Sequence, residues 1–167
     1  MSVYGGVGGQ LAYLLKNNAT VSELVSARIY PNIVPQRGTF PCVVYNQINS
    51  QRTSVMGQDT GTVESVWQLD VYAQTYAGAR ELAVAVRKAI QRYRGFTPVA
   101  IQADDVLERD SDNVLERDSD AVVQRTLLGT KLIQQIFIDA DTDFYEDDTR
   151  LHRVSIDIRV WYDESGE

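Results

Sequence analysis

Cysteine and histidine are almost missing from this chain, with one of each in 167 residues, Cys42 and His152. A single thiol excludes an internal disulfide. There is no G-x-S-x-G nucleophile elbow for a lone histidine to serve. Cys42 follows Pro41 where a strand begins and reads as a small buried hydrophobe, and His152 beside Arg153 reads as a structural or surface residue. No apolar run approaches the roughly 20 residues that cross a bilayer. The opening MSVYGGVGGQLAYLLKNN lacks the basic start and unbroken apolar stretch of a secretion signal. These absences predict a chain made and kept in a cytosol-like compartment, with no membrane partner. Gly5, Gly6, Gly8 and Gly9 do not form a phosphate loop, because no strand precedes them and no Lys-Ser/Thr follows; they read as a flexible lead.

Bases are outnumbered, 16 against 23 acids, for a net charge of −7, but the excess is local. Residues 103–120 hold eight acids and two arginines, and residues 139–148 hold six acids and no base. The rest of the chain carries nine acids and fourteen bases, a net +5. A mildly basic body with two acidic segments argues against general nucleic-acid binding there and suits charge-complementary contact between copies or with a partner.

The most informative stretch runs from Thr62 to Gly95. Val63, Trp67, Leu69 and Val71 alternate with Glu64, Gln68, Asp70 and Tyr72, the pattern of a half-buried strand. At Thr75, a good N-cap, the period changes to 3.6, and Ala79, Leu82, Ala83, Val86, Ile90 and Tyr93 form one apolar stripe. Gly95 and Pro98 predict the stop. Upstream, Leu11, Leu14 and Leu15 predict a short helix ended by Asn17 and Asn18, and Thr20-Val21-Ser22-Glu23 reads as a capping box. Tyr30 to Pro35 is extended by its prolines. Pro41 to Asn49 reads as a strand, joined by a polar loop over Ser50–Gly61 to the strand at Thr62. Leu127–Asp139 predicts a further strand. Val154, Ile156, Ile158 and Val160 mark a last one, antiparallel to it across the acidic turn ADTDFYEDDT. The expected architecture is α+β: a single domain over 1–167, with a mainly antiparallel sheet of four or five strands and two or more helices on one face.

DVLERDSD at 105–112 recurs as NVLERDSD at 113–120, a tandem duplication too short and too few in copies for a solenoid. Residues 103–126 are expected to be an inserted acidic loop or arm, with a hairpin or acidic helix as alternatives.

No catalytic set is convincing, and no cofactor is expected. Asp139, Asp141 and Asp143 match the first part of a calcium loop, but Phe144 stands where glycine is needed and Arg150 where the bidentate glutamate belongs. Arg80, Arg87 and Arg94 fall along one edge of the helix stripe. They are either a solvated edge covering the core or a ridge meeting an acidic segment of the next subunit or of a partner.

Taken together, RIYPNIVPQRGTFPCVVYNQI, QLDVYAQTYAGARELAVAVRKAI and HRVSIDIRVWYDE resemble the tail-completion or tail-terminator proteins of long-tailed bacteriophages, the minor tail protein U kind. Tyr30-Pro31, Pro41, D-V-Y-A-x-T-Y-A at 70–77 and D-I-R-V-W-Y at 157–162 carry the resemblance. The segment between Gly95 and Gly129 departs from it. The resemblance implies a non-enzymatic virion protein of the tail or neck, assembled in the host cytoplasm. It implies a ring of copies, generally six, on the head-proximal end of the tail tube, ending its growth and meeting a head connector or stopper protein. DNA would pass through the lumen without specific binding. A head-side connector or other neck protein is the alternative, and a small hydrolase using the 139–148 carboxylates is a distant third.

Overall fold

The computed structural model describes residues 6–56, 58–95 and 131–164. The expected insertion at 103–126 and its duplication lie outside these residues. Helices α1 (Val7–Asn17) and α2 (Ala19–Val25) come first, followed by β1 (Ile29–Pro31), β2 (Cys42–Val55) and β3 (Gln58–Ala73). Helix α3 (Tyr76–Ile90), β4 (Leu132–Glu146) and β5 (Leu151–Asp163) complete the described chain. The strands form one sheet in the order β1-β2-β3-β5-β4. Only β1 against β2 is parallel; the other three pairings are antiparallel. The α+β expectation therefore holds, with five strands and with β1 drawn from the proline-rich stretch.

The strand–helix unit forms for the reasons the pattern gives. Val63, Trp67, Leu69 and Val71 of β3 are buried with Val154, Ile156, Ile158 and Val160 of β5. Against them lies the α3 stripe of Ala79, Leu82, Ala83, Val86 and Ile90. Each large side chain taken fully from water contributes about 1.5–3 kcal/mol. Thr75 caps α3 by accepting from the Gly78 N–H at 3.2 Å. The helix stops at Ile90, earlier than the stripe implies: Arg92 takes a left-handed φ of 62°, and Gly95 turns on to bridge Ile133 beside β4. Tyr93 is thus packed against the core from outside the helix.

Three further expectations change. The glycine lead is helical from Val7, and α1 packs so closely that a Cβ on Gly8 would lie 2.8 Å from the Trp67 ring. Close backbone approach, not flexibility, explains that glycine. Helix α2 is capped by Asn18, which accepts from the Val21 N–H, so Thr20 lies inside the helix. The polar stretch Ser50–Gly61 is not a loop. It continues β2 and β3 as a long hairpin in which Val55 pairs with Gln58.

Cys42 is buried, as expected of a small hydrophobe, and burial pushes its thiol up to about 11 against the opposing pull of Arg28. The unfolded thiol loses its proton near pH 9 while the folded one keeps it, so the folded state binds more protons between those values and stability falls as pH rises. Chemical unfolding at pH 8 and at pH 10.5 is expected to show a loss about 1–2 kcal/mol smaller in Cys42→Ala than in the unaltered chain. An equal loss in both would assign the alkaline sensitivity to other groups, such as Tyr72 and Tyr93, whose burial also raises them.

Candidate assembly surface

Strand β4 lies at the sheet edge, and its acidic half is not a turn. Residues Asp139 to Glu146 are all strand, and the reversal is confined to Asp147–Arg150. A bulge between Ile138 and Ala140 changes the parity of the strand. Asp139 therefore points to the face away from the helices, where it accepts from Arg159 at 2.7 and 3.0 Å. Asp141 and Asp143, beyond the bulge, turn to the helix side. Three aspartates at alternate positions are thus split between two faces, and they cannot converge on one cation. Among the described residues no group of three or more metal-binding side chains is present.

The helix-side aspartates meet the arginine ridge. Arg80 donates to Asp141 at 3.1 Å and to Asp143 at 3.0 Å, Arg87 lies 3.7 Å from Asp141, and the Tyr76 hydroxyl donates to Asp143. The charge of Asp143 beside Arg80 holds that guanidinium above its ordinary range. Arg94 donates to the Gln134 carbonyl at 2.8 Å, at the first β4 bulge. Arg80 and Arg87 therefore pin α3 along β4 of their own chain, and Arg94, expected on the same helix edge, lies beyond the helix end and ties the following segment to β4. Four bases of the same chain, Arg80, Arg87, Arg153 and Arg159, pair with acids of the segment 139–148. The cluster remains about 31–40% exposed at its side chains.

The sheet face away from the helices carries Glu64, Asp70, Asp139, Glu146, Asp157 and Asp163 against Arg153 and Arg159 among the described residues. Asp70 is 4% exposed, held by Arg153 at 3.0 Å and Gln68 at 3.1 Å, while Gln68 also donates to Ser155. Burial works against the Arg153 charge, but the hydrogen bond and charge of Asp70 raise it above its ordinary value. The guanidinium also lies over the rings of Phe144 and Tyr72, at 5.2 and 5.9 Å.

Two residues carry structural roles that the sequence pattern did not mark. Gln10 on α1 is fully buried, and its amide both donates to the Lys131 carbonyl and accepts from the Lys131 N–H, closing the start of β4. Ser65, also buried, accepts from the Trp67 indole at 2.8 Å and donates to the Val160 carbonyl. Only an alternation carried over polar positions could have hinted at either.

At the other end of the sheet the β2–β3 hairpin outgrows its neighbours. Strand β5 accompanies β3 only as far as Thr62, and β1 accompanies β2 only over Val43–Tyr45. Beyond that, a two-stranded arm projects, tied at its base by Arg52 to Glu164 at 3.0 Å. Val55 and Met56 at its end are 56% and 105% exposed. Below the arm, under the first turn of α1, a cleft of about 380 Å³ is lined by Val7, Gly8, Tyr45, Trp67 and Tyr162, with Gln47, Lys131 and Glu164 among its polar residues.

A search among curated proteins finds no match. Among solved structures, a chain of the virion of a native gene transfer agent particle shares the fold, with a TM-score of 0.59 at 14% identity over 94% of each chain. The sequence profile of the tail completion protein gp17 family matches residues 9–119, which take in all but the start of α1, the hairpin arm and the whole of β3 and α3. The chain belongs to the tail completion protein gp17 family, non-enzymatic structural proteins of the phage-like virion tail.

Proposed function

We propose that this protein closes into a ring, six-fold in the simplest case, on the head-proximal end of the tail tube. There it terminates tube growth and presents a surface to the head connector or stopper protein. The observation that carries the reading is the pairing of family membership with a sheet whose uncovered face has six carboxylates and two arginines among the described residues. A ring that turns this face to its lumen repels DNA phosphate and lets the duplex pass without sticking. Closure also hides sheet edges that would otherwise recruit further copies. Arg80, Arg87, Arg94, Asp141 and Asp143, half-open beside the β4 edge, belong in this reading to the contact between subunits, and Asp139 belongs near the lumen.

The direct test is negative-stain microscopy of purified tail tubes mixed with the protein. A cap on one end only, with tube length then fixed against added tube subunits, is the expected result. Binding along the tube wall, or to connectors but never to tubes, would overturn it and favour a head-side neck protein.

The triple change Arg80→Glu, Arg87→Glu and Arg94→Glu separates internal from external roles. Exposed pairs contribute little to stability, so the chain is expected to stay folded with only a modest fall in stability. Capping is expected to be lost at low salt. Unchanged capping across a salt series would confine the ridge to its own chain.

A further inference from the structure

The β2–β3 arm ends in exposed apolar side chains, and the cleft below it is partly aromatic. An isolated two-stranded ribbon is marginal in water, and this one ends in two exposed apolar side chains, Val55 and Met56. The cleft under α1 has the Trp67 and Tyr45 rings in its lining, with centroids 6.4 Å apart. An unbranched thioether suits such a gap, and sulfur against aromatic rings is a favourable contact. We propose that the hairpin arm is a latch between copies, with Val55 and Met56 of one chain seated in the cleft of a second copy. This deepens the ring reading by naming one contact that would hold neighbours together.

The arm cannot reach back into the cleft of its own chain. Gln47 at the cleft and Met56 at the arm's end are separated along one strand by about 25 Å, at roughly 3.3 Å per residue and allowing for two bulges. Knob and hole on different parts of one chain make a head-to-tail contact, in which every copy gives one arm and receives one. Charge favours the same occupant. The tip from Val55 to Gln58 carries no charge, with Asp59 one pair behind it opposite Ser54, and at the cleft Lys131 and Glu164 lie 4.0 Å apart. The contact is also small. Two side chains bury far less than the roughly 1,200 Å² of a lasting pair, so it holds only when repeated around a closed assembly. That is the situation of a ring, not of a free dimer with another protein.

The test is disulfide trapping in the full chain. Met56→Cys with Gln47→Cys places both new thiols at exposed positions, while the buried native thiol stays protonated and does not compete. Mild oxidation is expected to give a ladder of linked copies, at least tenfold more than either single variant alone. Thermal unfolding confirms that each variant is folded. Single-variant levels of linkage overturn the latch. A second variant, Met56→Asp with no added cysteine, is expected to weaken self-association at least tenfold by sedimentation, and unchanged association overturns the latch as well. Microscopy of tube ends keeps the two readings apart. Linked strings without end caps would sink the ring and leave the latch, whereas caps without linkage would sink the latch alone.

Discussion

Trp67→Ala is expected to lower stability by about 4 kcal/mol and the melting temperature by roughly 10 °C, the largest effect of any single change outside the helix stripe. Three layers meet at this ring. It is 8% exposed, packs against Tyr45 of β2 and against the backbone of Gly8 on α1, and donates its indole N–H to Ser65. Truncation removes a large apolar surface, opens a cavity beneath α1, and leaves Ser65 with only its bond to the Val160 carbonyl. Trp67→Phe keeps most of the surface and loses the hydrogen bond, for an expected loss of about 1–2 kcal/mol. The Gly8 contact supplies an internal control. Gly8→Leu is expected to destabilise the native chain, because a Cβ there already meets the ring at 2.8 Å. In the Trp67→Ala background the same leucine fills the vacated space and is expected to recover part of the loss. Denaturant titration of the four proteins measures the coupling, and strict additivity would show that α1 does not rest on Trp67.

Where one face of an element is buried, its pattern was readable: β3, α3 and β5 each repeat their apolar side chains at the right period because a core demands it. The β2–β3 arm escaped for the opposite reason. Both its faces are exposed beyond Asn46 on β2, so nothing enforces alternation, and Ser50 to Gly61 reads as loop chemistry. The bulge at Ile138–Ala140 left no mark, since any residue can occupy it, yet it decides that Asp139 and Asp141 face opposite ways. That one irregularity converts an apparent metal loop into two separate ion-pair systems. Helical Gly8 and Gly9 defied propensity because a tertiary contact overrides it. Arg80 and Arg87 share one edge of α3 while Arg94 falls beyond its end, and the β4 partners of Arg80 lie 61 and 63 residues away, beyond the reach of any local pattern.

Asp70 shows the same limit most clearly, and it carries the second large expectation. By alternation it belongs to the uncovered face with Glu64, Gln68 and Tyr72, where a carboxylate reads as solvated. It is instead 4% exposed, because Arg153, 83 residues later, lies directly over it, flanked by the Tyr72 and Phe144 rings. Asp70→Ala is expected to cost about 2–3 kcal/mol. The figure sits below the usual 3–5 kcal/mol for breaking a buried pair because Arg153 keeps 26% side-chain exposure and a second carboxylate, Glu146, at 3.7 Å. Water and Glu146 can take up part of the freed charge. Gln68 is affected as well, losing one acceptor while its bond to Ser155 at 2.7 Å survives. Asp70→Asn preserves the shape and an acceptor oxygen, and its expected cost is about half. A double-mutant cycle with Arg153→Ala is expected to return a coupling of about 1–3 kcal/mol, since removing both partners leaves no buried charge behind. The same variant also reads the uncovered face. Asp70→Ala removes one negative charge from it, but at a position shielded by Arg153. Under the proposed ring, capping of tube ends is therefore expected to follow folded fraction alone, whereas Asp157→Lys, on the same face, is expected to slow DNA passage with little change in stability. A coupling near zero in the cycle would show that Asp70 is held by the sheet and not by Arg153.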